Sequence, residues 1–256
     1  MKKTIISTVL TALIGFFTVS MTAQNKNSEP VKKKILFVVT SHDKKGSTGE
    51  KTGYYLGEVS HPWDVLHKAG YEIDFVSPKG GKPPVDGFDL EDPVNREFWE
   101  NEQYRGKLDH SMKPSEVNPV SYSAIFFAGG HGAMWDFADN DELAKITAAI
   151  YENGGIVGAV CHGPAGLVNV KLSNGKYLVD SKKISAFTNE EETEVKLNGV
   201  VPFLLEDRLK EHGANFEKSG LWEPHVTVDT RVVTGQNPQS ARGVGEAILN
   251  ELRNEE

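Results

Sequence analysis

Apolar residues along this chain fall in short blocks separated by polar and glycine-rich stretches. KKILFVVTSH (33–42) is a β-branched apolar run with charge before it and turn residues after it, the pattern of a buried strand. Residues 43–52 are polar and read as a loop. In YYLGEVSHPWDVLHKAG (54–70), Leu56, Val59, Trp63 and Leu66 recur at helical spacing, and Gly70 supplies a stop. Pro62 predicts a break or a late helix start inside that segment. YEIDFVSP (71–78) is a second strand. Residues 79–119, rich in proline, glycine and charge, read as an insertion packing over the main domain, with one helical piece around 94–105. Next come a strand at 123–130 (SAIFFAGG), a helix at 139–155 and a strand at 155–161 (GIVGAVC). PAGLVNV then opens a further helix. A strand at 182–188, a helix at 201–213, two short strands within 226–236 and a helix at 240–254 complete the pattern.

Strands alternating with helices predict the α/β class, with a mostly parallel sheet and helices on both faces. Ligands of such sheets sit beyond the carboxyl ends of the strands. SHDKKGSTG, GGHG and CHG all fall at such ends. A chain of 256 residues with 38% hydrophobic content suits one large domain, here 33–256. Residues 1–23 have two lysines, an apolar run and a small-residue end. They read as a signal peptide cut after Ala23, with an uncleaved anchor as the rival, and 24–32 as a polar tether. That reading implies an exported protein, periplasmic or secreted, with no stable membrane insertion after cleavage. The formal charge of −8, without a basic stripe, argues against nucleic-acid binding.

Cys161 is the only cysteine, so it forms no internal disulfide. It is either a buried small hydrophobe or a reactive thiol. A sharp strand-to-helix turn presenting a nucleophile needs small residues two before and two after it, and Ala159 and Gly163 stand there. A following helix would favour the thiolate through its N-terminal amides. His162 is adjacent. These features favour a nucleophile over a strand-end core cysteine. Gly129-Gly130-His131-Gly132 follows the neighbouring strand and reads either as a tight turn or as a source of oxyanion-binding amides, one of which would act with the amide of His162. Glu58 is an acid on an apolar-periodic segment, either solvated or a partner of the thiol.

AVCHGPAGL, FFAGGHGAMWDF, the stretch from Thr52 to Pro78, KGGKPPVD, VPFLLEDRL and VVTGQNPQSA together resemble the ThiJ/PfpI superfamily, above all its glutathione-independent glyoxalase (glyoxalase III) and chaperone-like branch. The likeness runs from about Lys33 to about Arg253. It implies a flavodoxin-like sandwich and a homodimer. It makes Cys161 the nucleophile and His162 the proton shuttle. Glu58 becomes the acid bonded to the thiol, and Gly130 and His162 the oxyanion-hole amides. A further acid orients the histidine; Glu190, Glu191, Glu192 and Glu194 compete, and Glu192 is favoured. The implied reaction converts methylglyoxal or a related 2-oxoaldehyde to a 2-hydroxy acid, D-lactate, without metal, cofactor or glutathione, as a D-lactate dehydratase-type lyase.

Two other readings stay open. One is a thiol hydrolase such as a deglycase, peptidase or amidotransferase, although Glu223-Pro224-His225 runs opposite to the amidotransferase order. The other is a holdase chaperone or redox sensor. His61, His67, His110, His131 and His225 are scattered without H-E-x-x-H or CxxC spacing, so no metal site is expected.

Overall fold

The computed structural model describes Met1 and residues 34–254, so the expected signal peptide and tether lie outside the described residues. The first half of the chain contains β1 (Lys34–Val38), β2 (Tyr54–Tyr55), α1 (Leu56–Lys68), β3 (Glu72–Val76), β4 (Val85–Asp86), α2 (Pro93–Glu100), α3 (Glu102–Asp109) and β5 (Ala124–Phe127). Then follow α4 (Ala133–Asp136), α5 (Asp141–Glu152), β6 (Ile156–Val160), β7 (Lys183–Ile184), α6 (Asn189–Glu194), α7 (Leu205–Glu211), β8 (Asn215–Phe216), β9 (Val226–Asp229), β10 (Val232–Gly235) and α8 (Ala241–Asn254).

Six strands form the central sheet in the order β3-β1-β5-β6-β10-β9. All neighbours are parallel except the edge pair β10–β9. The five parallel strands have the flavodoxin-like order. The sheet is buried on both faces, so successive residues of one strand enter different cores. Leu36, Val38, Ile125, Phe127, Val157 and Ala159 pack with Leu143 and Ile150 of α5. Ile35, Phe37, Phe75, Phe126 and Val160 pack with Trp63 and Leu66 of α1 and Ile248 of α8. This two-sided burial is why the strands read as continuous apolar runs.

Four expectations need correction. Helix α1 runs through Pro62 without a break. Pro62 is buried against α8, where Gly245 leaves the room: a Cβ there would lie 2.8 Å from the Pro62 Cα. That packing offsets the lost backbone hydrogen bond. The single helical piece at 94–105 is two helices, split at Asn101, whose side chain accepts a hydrogen bond from the Tyr104 amide (3.1 Å). The run 182–188 pairs only as the two-residue β7, against β8 and outside the main sheet. The segment after Cys161 is a short 3-10 turn, Gly163–Gly166, and not a regular helix.

The insertion covers one edge of the sheet. Phe98 and Tyr104 meet the Trp63 ring edge-on, with centroids 5.2 and 5.5 Å apart. Lys107 pairs with Asp74 (2.7 Å) and Glu72 (2.8 Å) of the edge strand β3. No helix among the described residues is long and apolar enough to cross a membrane.

The close α1–α8 crossing sets one test. Gly245→Val should cost about 1–3 kcal/mol through overpacking against Pro62, read as a lower urea midpoint. An unchanged midpoint would mean that the crossing is not tight.

Candidate active site

The register of the sheet brings two loop starts side by side. Phe127 pairs with Ala159, and Val160 with Gly235, so the chain leaves β5 and β6 at the same edge. Cys161 follows immediately. Its φ is 59°, a left-handed conformation that a side-chain-bearing residue adopts only when its surroundings enforce it. Its amide donates to the Gly235 carbonyl (2.9 Å), and its own carbonyl accepts from the Phe187 amide (2.9 Å). Two residues on, a Cβ at Gly163 would overlap the Phe127 carbonyl oxygen. The turn therefore closes only with glycine at that place.

The Cys161 thiol is buried and touches His162: Sγ lies 3.4 Å from Nδ1. The far nitrogen of the ring, Nε2, meets Glu192 Oε2 at 2.8 Å. Glu192 Oε1 meets His131 Nε2 at 3.0 Å. One carboxylate thus joins two imidazoles whose rings lie 4.1 Å apart. Phe187 covers His162 at 4.3 Å, and its ring lies 5.7 Å from that of Trp222.

Helix α6 holds Glu192 in place through its neighbour. Thr188 and Glu191 form a capping box, each side chain bonded to the other's amide at 3.0 Å. Glu191 Oε1 also accepts from the Trp222 amide (3.1 Å), Gln236 Nε2 (3.0 Å) and Asn237 Nδ2 (2.8 Å). This buried carboxylate ties the start of α6 to the end of β10.

Charge is managed differently at each buried group. Burial alone would raise the Glu192 carboxyl, but the neighbouring His162 and hydrogen bonds from both imidazoles outweigh it and hold it at about 2. Glu192 is therefore an ionised acceptor, and both Nε2 atoms donate to it. In neutral His162 this leaves Nδ1 bare, facing the sulfur. Burial, then the neighbouring His162, lowers His131 to about 4, against the pull of Glu192.

Burial raises Glu58 to about 8, although hydrogen bonds to Cys161 and Gly129 oppose the shift. The Gly129 amide donates to Oε2 at 2.8 Å. Oε1 is buried without a hydrogen-bond partner of good geometry, and the sulfur is the polar group beside this carboxyl. A proton on Oε1 gives that oxygen a role as donor toward sulfur. The thiol itself is pushed well up, first by burial, against a hydrogen bond from the Gly130 amide. Below about pH 8, Glu58 holds its proton and burial is what keeps the thiol neutral. The expected helix-dipole support for a thiolate is absent, because only the 3-10 turn follows.

Cys161, His162, Glu192, Glu58 and Gly130 thus come together, whereas the competing acids do not. Glu190 pairs with Lys218 (3.3 Å), and Glu191 is spent on the cap. His61 pairs with Asp92 (2.9 Å), and His225 contacts Ser219 (3.1 Å). Sequence reasoning missed His131 as a partner of Glu192, a contact across 61 positions. The residue was in view only as part of GGHG and among the scattered histidines.

This arrangement has relatives. The model of the DJ-1/PfpI family matches residues 51–251. The chain belongs to the DJ-1/PfpI family. It is 34% identical to "Glutathione-independent glyoxalase HSP31" of Saccharomyces cerevisiae over 240 residues, 87% of this chain and 99% of that protein. The crystal structure of glyoxalase III from Candida albicans superposes with a TM-score of 0.77 at 32% identity, covering 85% of this chain and 96% of that one. The Rapid Encystment Protein of Francisella tularensis gives a TM-score of 0.82 at 41% identity, covering 86% and 98%.

Glu58 yields a pH test of this DJ-1/PfpI site. Folded Glu58 keeps its proton to about pH 8, against an ordinary carboxyl value of 4.5. Between those values the folded state binds the extra proton, so stability is fully present below the window and falls as pH rises through it. The slope approaches about 1.4 kcal/mol per pH unit inside the window. Glu58→Gln lacks this dependence, so its advantage in thermal midpoint over wild type should grow from pH 5 to pH 8. An equal difference at both would show that the carboxyl titrates normally.

Proposed function

We propose that this chain is a glutathione-independent glyoxalase that converts methylglyoxal and related 2-oxoaldehydes to 2-hydroxy acids through a covalent bond to Cys161. The relatives' names support the reaction class. The observation that carries the reading is His162 Nδ1 lying 3.4 Å from the only thiol of the chain, with Glu192 2.8 Å from the opposite nitrogen. A glyoxalase without glutathione must supply its own sulfur and its own proton shuttle.

The chemistry follows from those positions. His162 Nδ1 takes the thiol proton as sulfur bonds to the aldehyde carbon C1. The aldehyde oxygen gains negative charge within reach of the Gly130 and His162 amides, then takes the proton back to give a hemithioacetal. His162 next removes the C1 hydrogen as a proton, and an enediol forms. A proton returns to C2, and the C1 hydroxyl proton ends on the C2 oxygen, leaving a thioester. Water cleaves the carbon–sulfur bond, the acid departs and the thiol is regenerated. One 2-oxoaldehyde plus one water gives one 2-hydroxy acid, with no external oxidant or reductant. Protonated Glu58 supplies a hydrogen bond whenever the sulfur carries charge. From methylglyoxal the product is D-lactate, the reverse of a D-lactate dehydratase.

Enzymatic detection of D-lactate from methylglyoxal, without glutathione, tests this. Wild type with reduced thiol should produce it, and Cys161→Ala should fall to background. Glu192→Gln should lower kcat about a hundred-fold or more by loosening the shuttle. No lactate from the reduced protein, or full activity in Cys161→Ala, would overturn the reading.

A further inference from the structure

The proposed reaction uses His162 and Glu192 but not His131. The fold nevertheless delivers His131 to the same carboxylate. The ligand atoms of His131, His162 and Glu192 all lie within 4.8 Å of one another. We propose that these three residues bind a zinc ion, and that its binding reversibly shuts off the reaction inferred above.

The donor set is the first argument. Two imidazole nitrogens and one carboxylate oxygen suit zinc, whereas magnesium and calcium prefer oxygen alone. Three protein ligands leave a fourth position for water. Pre-positioning is the second argument. His131 leaves the end of β5 through the Gly129–Gly130 loop, His162 sits on the elbow, and Glu192 projects from the capped α6. The Glu191 network holds that helix, so the carboxylate is already presented between the two rings. Access is the third. The His162 side chain is fully buried and that of Glu192 is 5% exposed, but His131 is 15% exposed and gives a cation a way in. Among the described residues no lysine or arginine pairs with Glu192; Lys45, whose charge reaches His131, pairs with Glu50 at 3.8 Å.

Inhibition follows from the tautomer. In the metal-free site Glu192 accepts the Nε2 proton of His162, and Nδ1 is free to take a proton from sulfur or from C1. A metal on Nε2 displaces that proton. Neutral imidazole then carries its one hydrogen on Nδ1, the nitrogen that faces Cys161. A nitrogen already protonated cannot act as the base. The metal lies on the side of the ring away from sulfur, so the thiol is not a ligand.

The test uses the full chain stripped of metal. Zinc is titrated by calorimetry and cobalt(II) by visible absorption into wild type, Cys161→Ala, His131→Asn and His131→Gln, each checked for folding by circular dichroism. Wild type and Cys161→Ala should bind alike. Both His131 variants should bind about a hundred-fold more weakly. Zinc should abolish wild-type lactate formation, and a chelator should restore it. The site is overturned if wild type binds no zinc at micromolar concentration, if Cys161→Ala loses binding, or if a folded His131 variant binds unchanged. Inhibition rests on the glyoxalase reading, but binding does not. A metal-free enzyme without turnover would sink that reading and leave the binding arms to decide the site.

Discussion

The left-handed turn at Cys161 is the constraint on which the rest of the site depends. A residue with a side chain is held at φ 59° there because both its backbone groups are bonded, to Gly235 and Phe187, and because Gly163 lies under the Phe127 carbonyl. That turn lifts the sulfur off the strand axis toward the Gly130 amide and Glu58. It also swings His162 so that consecutive side chains meet, which a regular helix does not allow. The cost of such strain is of order 1–3 kcal/mol, and the packed sheet around it supplies the compensation.

Burial then decides the protonation of each group. Three acids and a thiol share a dry region, and each is treated differently. Glu192 stays ionised because two imidazoles donate to it. Glu191 is saturated by the cap and by groups around the end of β10. Glu58, with one amide donor and a sulfur neighbour, keeps its proton to about pH 8. A protonated Glu58 and a neutral thiol beside the His162–Glu192 pair are the resting state from which the proposed attack on a carbonyl would start.

Much of this was legible in the sequence because it is local. Strands buried on two faces produce unbroken apolar runs, and the small residues around Cys161 are a direct imprint of a crowded turn. What failed was also physical. Pro62 breaks a helix in isolation, but the α8 contact at Gly245 lies far along the chain. The glycines at 163 and 166, with Pro164 between them, were the signal against a regular helix after the elbow. For the acids, the Thr188-x-x-Glu191 capping box was present in the sequence. It assigns Glu191 to the helix start and leaves Glu192 for the histidine. No local pattern carries the His131–Glu192 contact, since the two residues lie 61 positions apart and only the folded chain brings the loop after β5 to α6.

The central claim is that sulfur of Cys161 bonds to the substrate carbon during turnover. Acid-quenching the enzyme during steady-state turnover of isotopically labelled methylglyoxal, followed by peptide mass mapping, reads that bond directly. The account predicts a labelled adduct on the peptide containing Cys161, more abundant in Glu192→Gln, where the proton shuttle is slowed. Lactate production with no label at Cys161, or with label only on lysines and arginines, would contradict it.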